Sequence, residues 1–157
     1  MAVTLAHGSE EPPLRVLFDT SVLLPALILN HPRHADASSR LDATHAGRVQ
    51  LVLCTHAIAE LYSTLTGLPI APRIQPAQAE QLMEENILAH AELVALTAED
   101  YRQVVGRQAT QNLAGGVIYD ALHVQAAMNA DVDRLWTLNV ADFERVWPDH
   151  GGVIEGI

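Results

Sequence analysis

Five side chains in this sequence have the types and surroundings of a metal-dependent catalytic site. Asp19 directly follows the apolar run RVLF, and Glu60 is the only charged residue in the stretch THAIAELYSTLT. Asp120 is the only carboxylate in GGVIYDALHVQAAMNA, and Asn139 and Asp142 lie together in WTLNVADF. Carboxylates that are brought together repel one another unless a cation lies between them. Because oxygen ligands from Asp, Glu and Asn suit Mg²⁺ or Mn²⁺ better than zinc, these residues predict a magnesium or manganese site.

Each of these residues also has a structural explanation that involves no catalysis. Asp19 could cap the helix that follows it, and Glu60 could lie on the solvated face of its own helix. Asp120 stands near the start of a helix, where the helix dipole stabilises an anion. Asn139 or Asp142 could cap a short helix near the end of the sequence. The residues are more informative together, because each stands where an apolar element meets the same end of the expected sheet.

Apolar runs separated by helical patterns predict the elements that would position these residues. Thr20 or Ser21 is expected to cap the first helix, and residues 153–154 are expected to add an edge strand. Strands that alternate with helices favour a three-layer α/β/α fold with a mostly parallel sheet of four or five strands. The other predicted strands are 15–18, 51–54, 93–96 and 134–138, and the predicted helices are 21–29, 34–45, 56–66, 76–90, 98–110, 117–130 and 142–146.

The chain is expected to form a single domain over residues 15–157. Residues 1–14 are rich in glutamate and proline and predict a disordered N-terminal lead-in. No window reaches the roughly 18 apolar residues of a membrane span, and the acidic N-terminus does not resemble an export signal. The single cysteine, Cys54, cannot form an internal disulfide and suits a reducing compartment. A cytoplasmic protein without membrane association is therefore expected.

The charge balance argues against broad affinity for nucleic acid. The formal net charge is −10, and the nine basic residues are all arginine. An acidic protein repels phosphate backbones at long range. Cations bound to a cluster of acids would cancel part of this charge locally. We therefore expect poor affinity for nucleic acid when metal is absent, which leaves a metal-assisted nuclease possible.

Four segments, in this order and spacing, resemble the motifs of the PIN domain family. They are VLFDTSVLLPAL, THAIAELYSTLT, GGVIYDALHVQAA and LWTLNVADFERV, and together they extend the resemblance over residues 15–146. The DTS after the first strand and the TxNxxDF pattern near the end are the most specific of them. Within the family, the segments are most similar to the VapC-type toxin ribonucleases of bacterial toxin–antitoxin pairs.

The resemblance implies metal-dependent endonucleolytic cleavage of structured RNA, such as transfer or ribosomal RNA. It makes Asp19 and Asp120 the principal metal ligands, and Glu60 the acid that orients or deprotonates the attacking water. Asn139 falls where many members have a fourth aspartate and others have asparagine. Asp142 is the acid of the terminal DF pair and would fix the far side of the site with Asn139. Because an amide replaces one acid, the number of bound cations, one or two, is left open.

Other polar residues near these acids could support the site or act in it. Ser21 and Thr137 match family positions that hydrogen-bond around the site. His56 and His123 each lie three or four residues from one of the catalytic acids, so either could act directly. The histidines match no compact zinc signature. Hydrogen bonding is the commoner role for a histidine, and neither His56 nor His123 is included in the predicted catalytic set.

The resemblance also implies protein partners. A small antitoxin would place its C-terminal segment in the active-site groove, often with an arginine near the carboxylates, and the toxin would form a homodimer. The main alternative is a catalytically silent PIN-like module that binds RNA or a protein. A phosphatase of the haloacid-dehalogenase kind is excluded, because it requires a DxD pattern and a downstream lysine. This chain has DTS and no lysine.

Overall fold

The structure is a computed structural model, and it describes residues 11–157. Strands and helices alternate over most of this range. The strands are β1 (Leu14–Phe18), β2 (Val49–Cys54), β3 (Ala91–Val94), β4 (Arg134–Thr137) and β5 (Ile154–Gly156). The helices are α1 (Thr20–Leu27), α2 (His34–His45), α3 (His56–Gly67), α4 (Pro76–Asn86), α5 (Ala98–Thr110), α6 (Val117–Ala130) and α7 (Val140–Val146), with a short 3-10 helix at Leu88–His90.

The strands form one five-stranded parallel sheet in the order β3-β2-β1-β4-β5. The chain first builds the sheet outward from β1 through β2 to β3, and then returns to the other side of β1 to add β4 and β5. The order therefore reverses between β1 and β4, and ligand sites in open α/β sheets form at such a point, beyond the carboxyl ends of the strands. Asp19 follows β1 and Asn139 follows β4, so both stand at this point.

Two apolar cores cover the two faces of the sheet. Successive side chains of a strand point to opposite faces, and the central strand follows this rule. Val16 and Phe18 pack in the core shared with α1 to α4, whereas Leu17 packs in the core shared with α5 to α7. In β4, Trp136 joins the first core and Leu135 the second. The predicted three-layer α/β/α fold is confirmed, and the sheet is entirely parallel.

Several element boundaries differ from the sequence prediction. β3 begins and ends two residues earlier than expected, because its register is set by pairing with β2, where Ala91 lies opposite Leu51. The helix predicted over 76–90 ends at Asn86, since Ile87 leaves helical geometry at φ −124°, ψ −64° and its side chain is fully buried. α7 begins at Val140, two residues earlier than predicted, and the edge strand is Ile154–Gly156.

The N-terminal segment is only partly covered by the structure. Residues 1–10 of the predicted lead-in lie outside the described residues, and Leu14, its last residue, belongs to β1. No helix between residue 11 and the last residue of the chain is long and apolar enough to cross a membrane. The prediction of one domain over residues 15–157 stays a prediction.

Candidate active site

Asp19 is fixed at the end of β1 by hydroxyl groups. Its backbone N–H continues the sheet by donating to the Trp136 carbonyl at 3.0 Å. The residue is 4% exposed, and Oδ2 accepts hydrogen bonds from Ser21 Oγ at 2.6 Å and from Thr137 Oγ1 at 2.9 Å. Asp19 occupies the N-cap position of α1, but its side chain makes no capping hydrogen bond. The capping explanation therefore does not account for this carboxylate, whose second oxygen faces the site.

The same two hydroxyls connect β1 to the turn after β4. Ser21 Oγ accepts the backbone N–H of Leu138 at 2.9 Å, and Thr137 Oγ1 accepts that of Asn139 at 2.9 Å. Each hydroxyl thus accepts from the β4–α7 turn and donates to Asp19. The expected hydrogen-bonding role of Ser21 and Thr137 is confirmed. The expectation that Ser21 caps α1 is wrong, because its hydroxyl is committed to this network.

Glu60 reaches the site from the second turn of α3. Its Oε1 accepts a hydrogen bond from Thr20 Oγ1 at 2.7 Å, and its Oε2 lies 2.8 Å from His56 Nε2. Burial raises the pKa of Glu60, but hydrogen bonds from His123 and Thr20 and the two nearby imidazoles outweigh it, so the pKa is lowered overall. Glu60 is therefore ionised at neutral pH, and it faces protein groups as well as solvent. Thr20, like Ser21, does not cap α1.

Asp120 lies in the first turn of α6 and completes the predicted set of buried or half-buried acids. Burial is the largest cause that raises its pKa to about 6, and the charge of Asp19 is the second. The charges of Asp142 and Glu60 act in the same direction, and His123 opposes them only in part. None of the hydrogen bonds within residues 11–157 ends on its carboxylate. Asp120 is thus a carboxylate that lacks a protein partner and is repelled by its neighbours.

His123 is the residue that the sequence prediction left out. It lies one helical turn after Asp120 and is fully buried. Its Nε2 is 3.5 Å from Glu60 Oε1 and 4.0 Å from Asp19 Oδ1. Burial lowers the pKa of His123, but the hydrogen bond to Glu60 and the charges of the surrounding acids outweigh it and raise the pKa overall. The sequence signal for it was the i to i+3 spacing from Asp120, which puts both side chains on one helix face.

An aromatic pair forms the wall of the site beside Glu60. The rings of His56 and Tyr119 are stacked, with centroids 5.1 Å apart and planes 2° from parallel. Tyr119 is 53% exposed, so its phenol ring extends the wall into solvent. The ring of His56 also meets that of His123 edge-on, with centroids 6.1 Å apart. His56 thus contacts the site through Glu60 and supports an exposed aromatic surface next to Asp120.

Asn139 and Asp142 lie at the rim rather than among the buried groups. Asn139 is exposed and stands at the N-cap position of α7, where its side chain makes no capping hydrogen bond. The side chain of Asp142 is 55% exposed and lies 3.9 Å from Arg145. Its charge nevertheless contributes to the raised pKa of Asp120, so it is close enough to act on the same ligand or substrate. Their predicted catalytic roles stay predictions.

The donor set fits a divalent cation. Carboxylate oxygens of Asp19 and Glu60 and Nε2 of His123 all lie within 4.8 Å of one another. The salt bridges that arginines form within residues 11–157 are all with acids other than Asp19, Glu60 and Asp120. The only basic partners at the cluster are therefore imidazoles. Three acids grouped without an arginine are an arrangement that a bound cation stabilises.

Comparison with known proteins agrees with this geometry. The PIN domain family model matches residues 16–146. The ribonuclease VapC27 of Mycobacterium tuberculosis is 40% identical over 117 residues, which are 74% of this chain and 78% of that protein.

Among solved structures, VapBC2 from Rickettsia felis bound to a promoter DNA fragment has a TM-score of 0.64 at 16% identity and covers 92% of this chain and 99% of its own. VapC20 of M. tuberculosis, described as a sarcin-ricin loop cleaving toxin, has a TM-score of 0.59 at 16% identity, covering 76% and 86% of the two chains. The structural neighbours share the fold, and the family match confirms the resemblance in the motifs: this chain belongs to the PIN domain family and is a relative of the VapC ribonucleases.

Proposed function

We propose that this protein is a Mg²⁺- or Mn²⁺-dependent endoribonuclease that hydrolyses RNA phosphodiester bonds and acts as the toxin of a type II toxin–antitoxin pair. The observation that supports this most strongly is the convergence of Asp19, Glu60 and Asp120 at the switch point of the sheet, with no arginine counterion among residues 11–157. The ribonuclease name of the 40% identical relative supports RNA as the substrate. Because the three acids are intact and two are held by hydrogen bonds, a catalytically silent module is disfavoured.

Each acid has a distinct part in this proposal. Asp19 and Asp120 would hold the cation. When bound, a divalent cation favours ionisation of the attacking water and stabilises negative charge on the phosphoryl group. Glu60, kept ionised by Thr20 and the two imidazoles, would orient this water or accept its proton. The hydroxyls of Ser21 and Thr137 keep the carboxylate of Asp19 in one orientation, which removes the need to reorganise it during reaction.

The partners in this proposal are a small antitoxin and a second copy of the chain. The Rickettsia felis neighbour, solved as VapBC2, supports the first. An antitoxin arginine inserted near Asp120 would neutralise an acid that is repelled by the charges of Asp19, Asp142 and Glu60. We place the activity in the cytoplasm, where the free buried Cys54 would stay reduced.

A cleavage assay on the metal-stripped protein tests the proposed function. The substrates are transfer RNA and ribosomal RNA fragments, with DNA oligonucleotides of the same sequences as controls, and the new RNA ends are mapped by sequencing. Cleavage at defined positions should require Mg²⁺ or Mn²⁺ and should disappear on chelation. Equal cleavage in excess chelator would contradict the metal dependence. RNA binding without any cleavage under all metal conditions would favour the silent module.

Asp142→Asn should reduce cleavage only moderately, by about tenfold, as is usual for groups that support a metal site from outside. The reason is that its side chain is 55% exposed and acts on Asp120 through charge rather than through contact. Asn139→Ala should have an effect of similar size. Single-turnover rates measure this, with Glu99→Gln on the exposed side of α5 as the matched control. A loss as large as that of the buried acids would place Asp142 among the direct ligands.

A further inference from the structure

We propose that His123 binds the divalent cation directly through Nε2, so that the site has a mixed nitrogen and oxygen donor set that selects Mn²⁺ over Mg²⁺. This inference depends on the proposed metal dependence and adds a ligand and a preference to it. It concerns a residue that is not among the predicted catalytic residues.

The distances suit shared ligation. Ligand atoms bound to one ion at about 2.1 Å lie roughly 3.0 to 4.2 Å apart, depending on the angle between the bonds. Nε2 of His123 is 3.5 Å from Glu60 Oε1 and 4.0 Å from Asp19 Oδ1, and both values fall within this interval. As a hydrogen bond, by contrast, 3.5 Å is long. The imidazole is therefore better placed to bind an ion held by Asp19, with Glu60 beside that ion, than to hold either carboxylate by a hydrogen bond.

The burial of His123 also needs an explanation. The ring is fully buried on α6, beside the rings of His56 and Phe143, and a buried polar group without good hydrogen bonds is costly. Its Nδ1 has no hydrogen-bond partner within residues 11–157. In the absence of a cation, the hydrogen bond to Glu60 places a proton on Nε2. A cation bound beside the carboxylates would displace this proton, and because Nδ1 has no competing partner within residues 11–157, the ring can keep its remaining proton on Nδ1 and bind the cation through Nε2.

The chemical consequence is metal selectivity. Mg²⁺ prefers oxygen ligands and binds imidazole weakly, whereas imidazole is a good ligand for later divalent metals, and Mn²⁺ accepts it together with carboxylates. Loss of even an outer partner of a metal site lowers affinity by about 10- to 100-fold. Loss of His123 as a ligand should therefore lower the Mn²⁺ affinity by at least about tenfold and leave the Mg²⁺ affinity nearly unchanged.

Two measurements on the whole protein test this inference. Titration calorimetry of the metal-stripped protein with MnCl₂ and with MgCl₂ gives the two affinities in the native chain and in His123→Leu. Pulsed electron paramagnetic resonance of the Mn²⁺-loaded protein detects the ¹⁴N nucleus of a directly bound imidazole. His56→Gln is the matched control, because His56 is the other histidine in contact with Glu60. Circular dichroism checks that each variant is folded.

We expect a ¹⁴N coupling in the native protein that survives in His56→Gln and is lost in His123→Leu, together with a selective loss of Mn²⁺ affinity. If His123→Leu fails to fold, the native protein and His56→Gln still decide the question. Absence of the coupling in the native protein, or its loss in His56→Gln, overturns the inference. RNA cleavage that depends equally on both metals, with no ¹⁴N coupling, would overturn it and leave the proposed function standing. If neither Mn²⁺ nor Mg²⁺ bound to the protein, both the inference and the proposed function would be overturned.

Discussion

Asp19→Asn should lower RNA cleavage at least about 1000-fold while the protein remains folded. Asparagine has the same shape as aspartate, and its side-chain oxygen can still accept the hydrogen bonds from Ser21 Oγ and Thr137 Oγ1. The network between β1 and the β4–α7 turn should therefore persist. What the variant loses is the negative charge on the oxygen that faces the site, and with it the principal carboxylate ligand of the proposed cation.

Single-turnover cleavage at saturating Mg²⁺ or Mn²⁺ measures the loss of activity. Thermal unfolding shows whether the variant remains folded. Asp36→Asn is the matched control, since it is the same chemical change on the exposed face of α2, where Asp36 pairs with Arg33. Asp36→Asn should cleave like the native protein. An Asp19→Asn variant that cleaves at the native rate would remove Asp19 from the catalytic site. A variant that no longer folds would instead show that the charge itself holds the β1–α1 junction together.

The sequence made Asp19 and Glu60 predictable because both interrupt apolar segments whose burial was certain. A charged residue after RVLF has to lie at the end of a buried strand, and a parallel sheet places the ends of its strands at one edge. Asp120 was predictable for the same reason, as the only carboxylate of an apolar helix. The fold class followed from the alternation of strands and helices.

His123 could not be chosen from sequence, because a histidine on an apolar helix looks the same whether it fills the core or enters a site. Which face of α6 turns towards the carboxylates is set by how that helix packs on β2 and α3, and this is a long-range property of the fold. Asn139 and Asp142 illustrate the converse case. Their motif is specific, but the turn after β4 places both side chains in solvent at the rim.

The negative net charge is consistent with the arrangement of the site. Of the arginines that form salt bridges within residues 11–157, only Arg145 pairs with an acid at the rim of the site, Asp142, and none pairs with Asp19, Glu60 or Asp120. The cluster of Asp19, Glu60 and Asp120 is therefore left to repel phosphate until a cation binds. Metal binding and RNA binding should consequently be coupled, with RNA affinity low in the metal-free protein.

Asp120→Asn should have opposite effects on activity and on stability. Cleavage should fall at least about 1000-fold, because the variant lacks the second carboxylate proposed to hold the cation. The metal-free protein, however, should become more stable at pH 7.5. Burial and the charge of Asp19 raise the pKa of Asp120 to about 6, from an ordinary value of 3.8. The folded state therefore binds this proton more tightly than the unfolded state does, and the ionised carboxylate destabilises the fold at neutral pH.

The pH dependence follows from the same shift. As the pH falls from about 6 towards 4, the folded protein takes up a proton on Asp120. The ionised carboxylate then no longer destabilises the folded state. The variant should gain about 1 kcal/mol in the free energy of unfolding at pH 7.5. This gain is smaller than the pKa shift alone would give, because the carboxylate is only half-buried and solvent screens its repulsion. Most of this gain should vanish by pH 4.5. Urea unfolding in the presence of a chelator at the two pH values measures it.

Added Mn²⁺ or Mg²⁺ should reverse the order of stability. A ligand that binds only the folded state stabilises it in proportion to the logarithm of its concentration, and the native protein should bind the cation far more tightly than Asp120→Asn. The native protein should therefore be the less stable of the two in chelator and the more stable at high metal concentration. If Asp120→Asn were less stable than the native protein in chelator at pH 7.5, Asp120 would be held by an attractive partner in the folded state, and its place among repelling acids would be wrong.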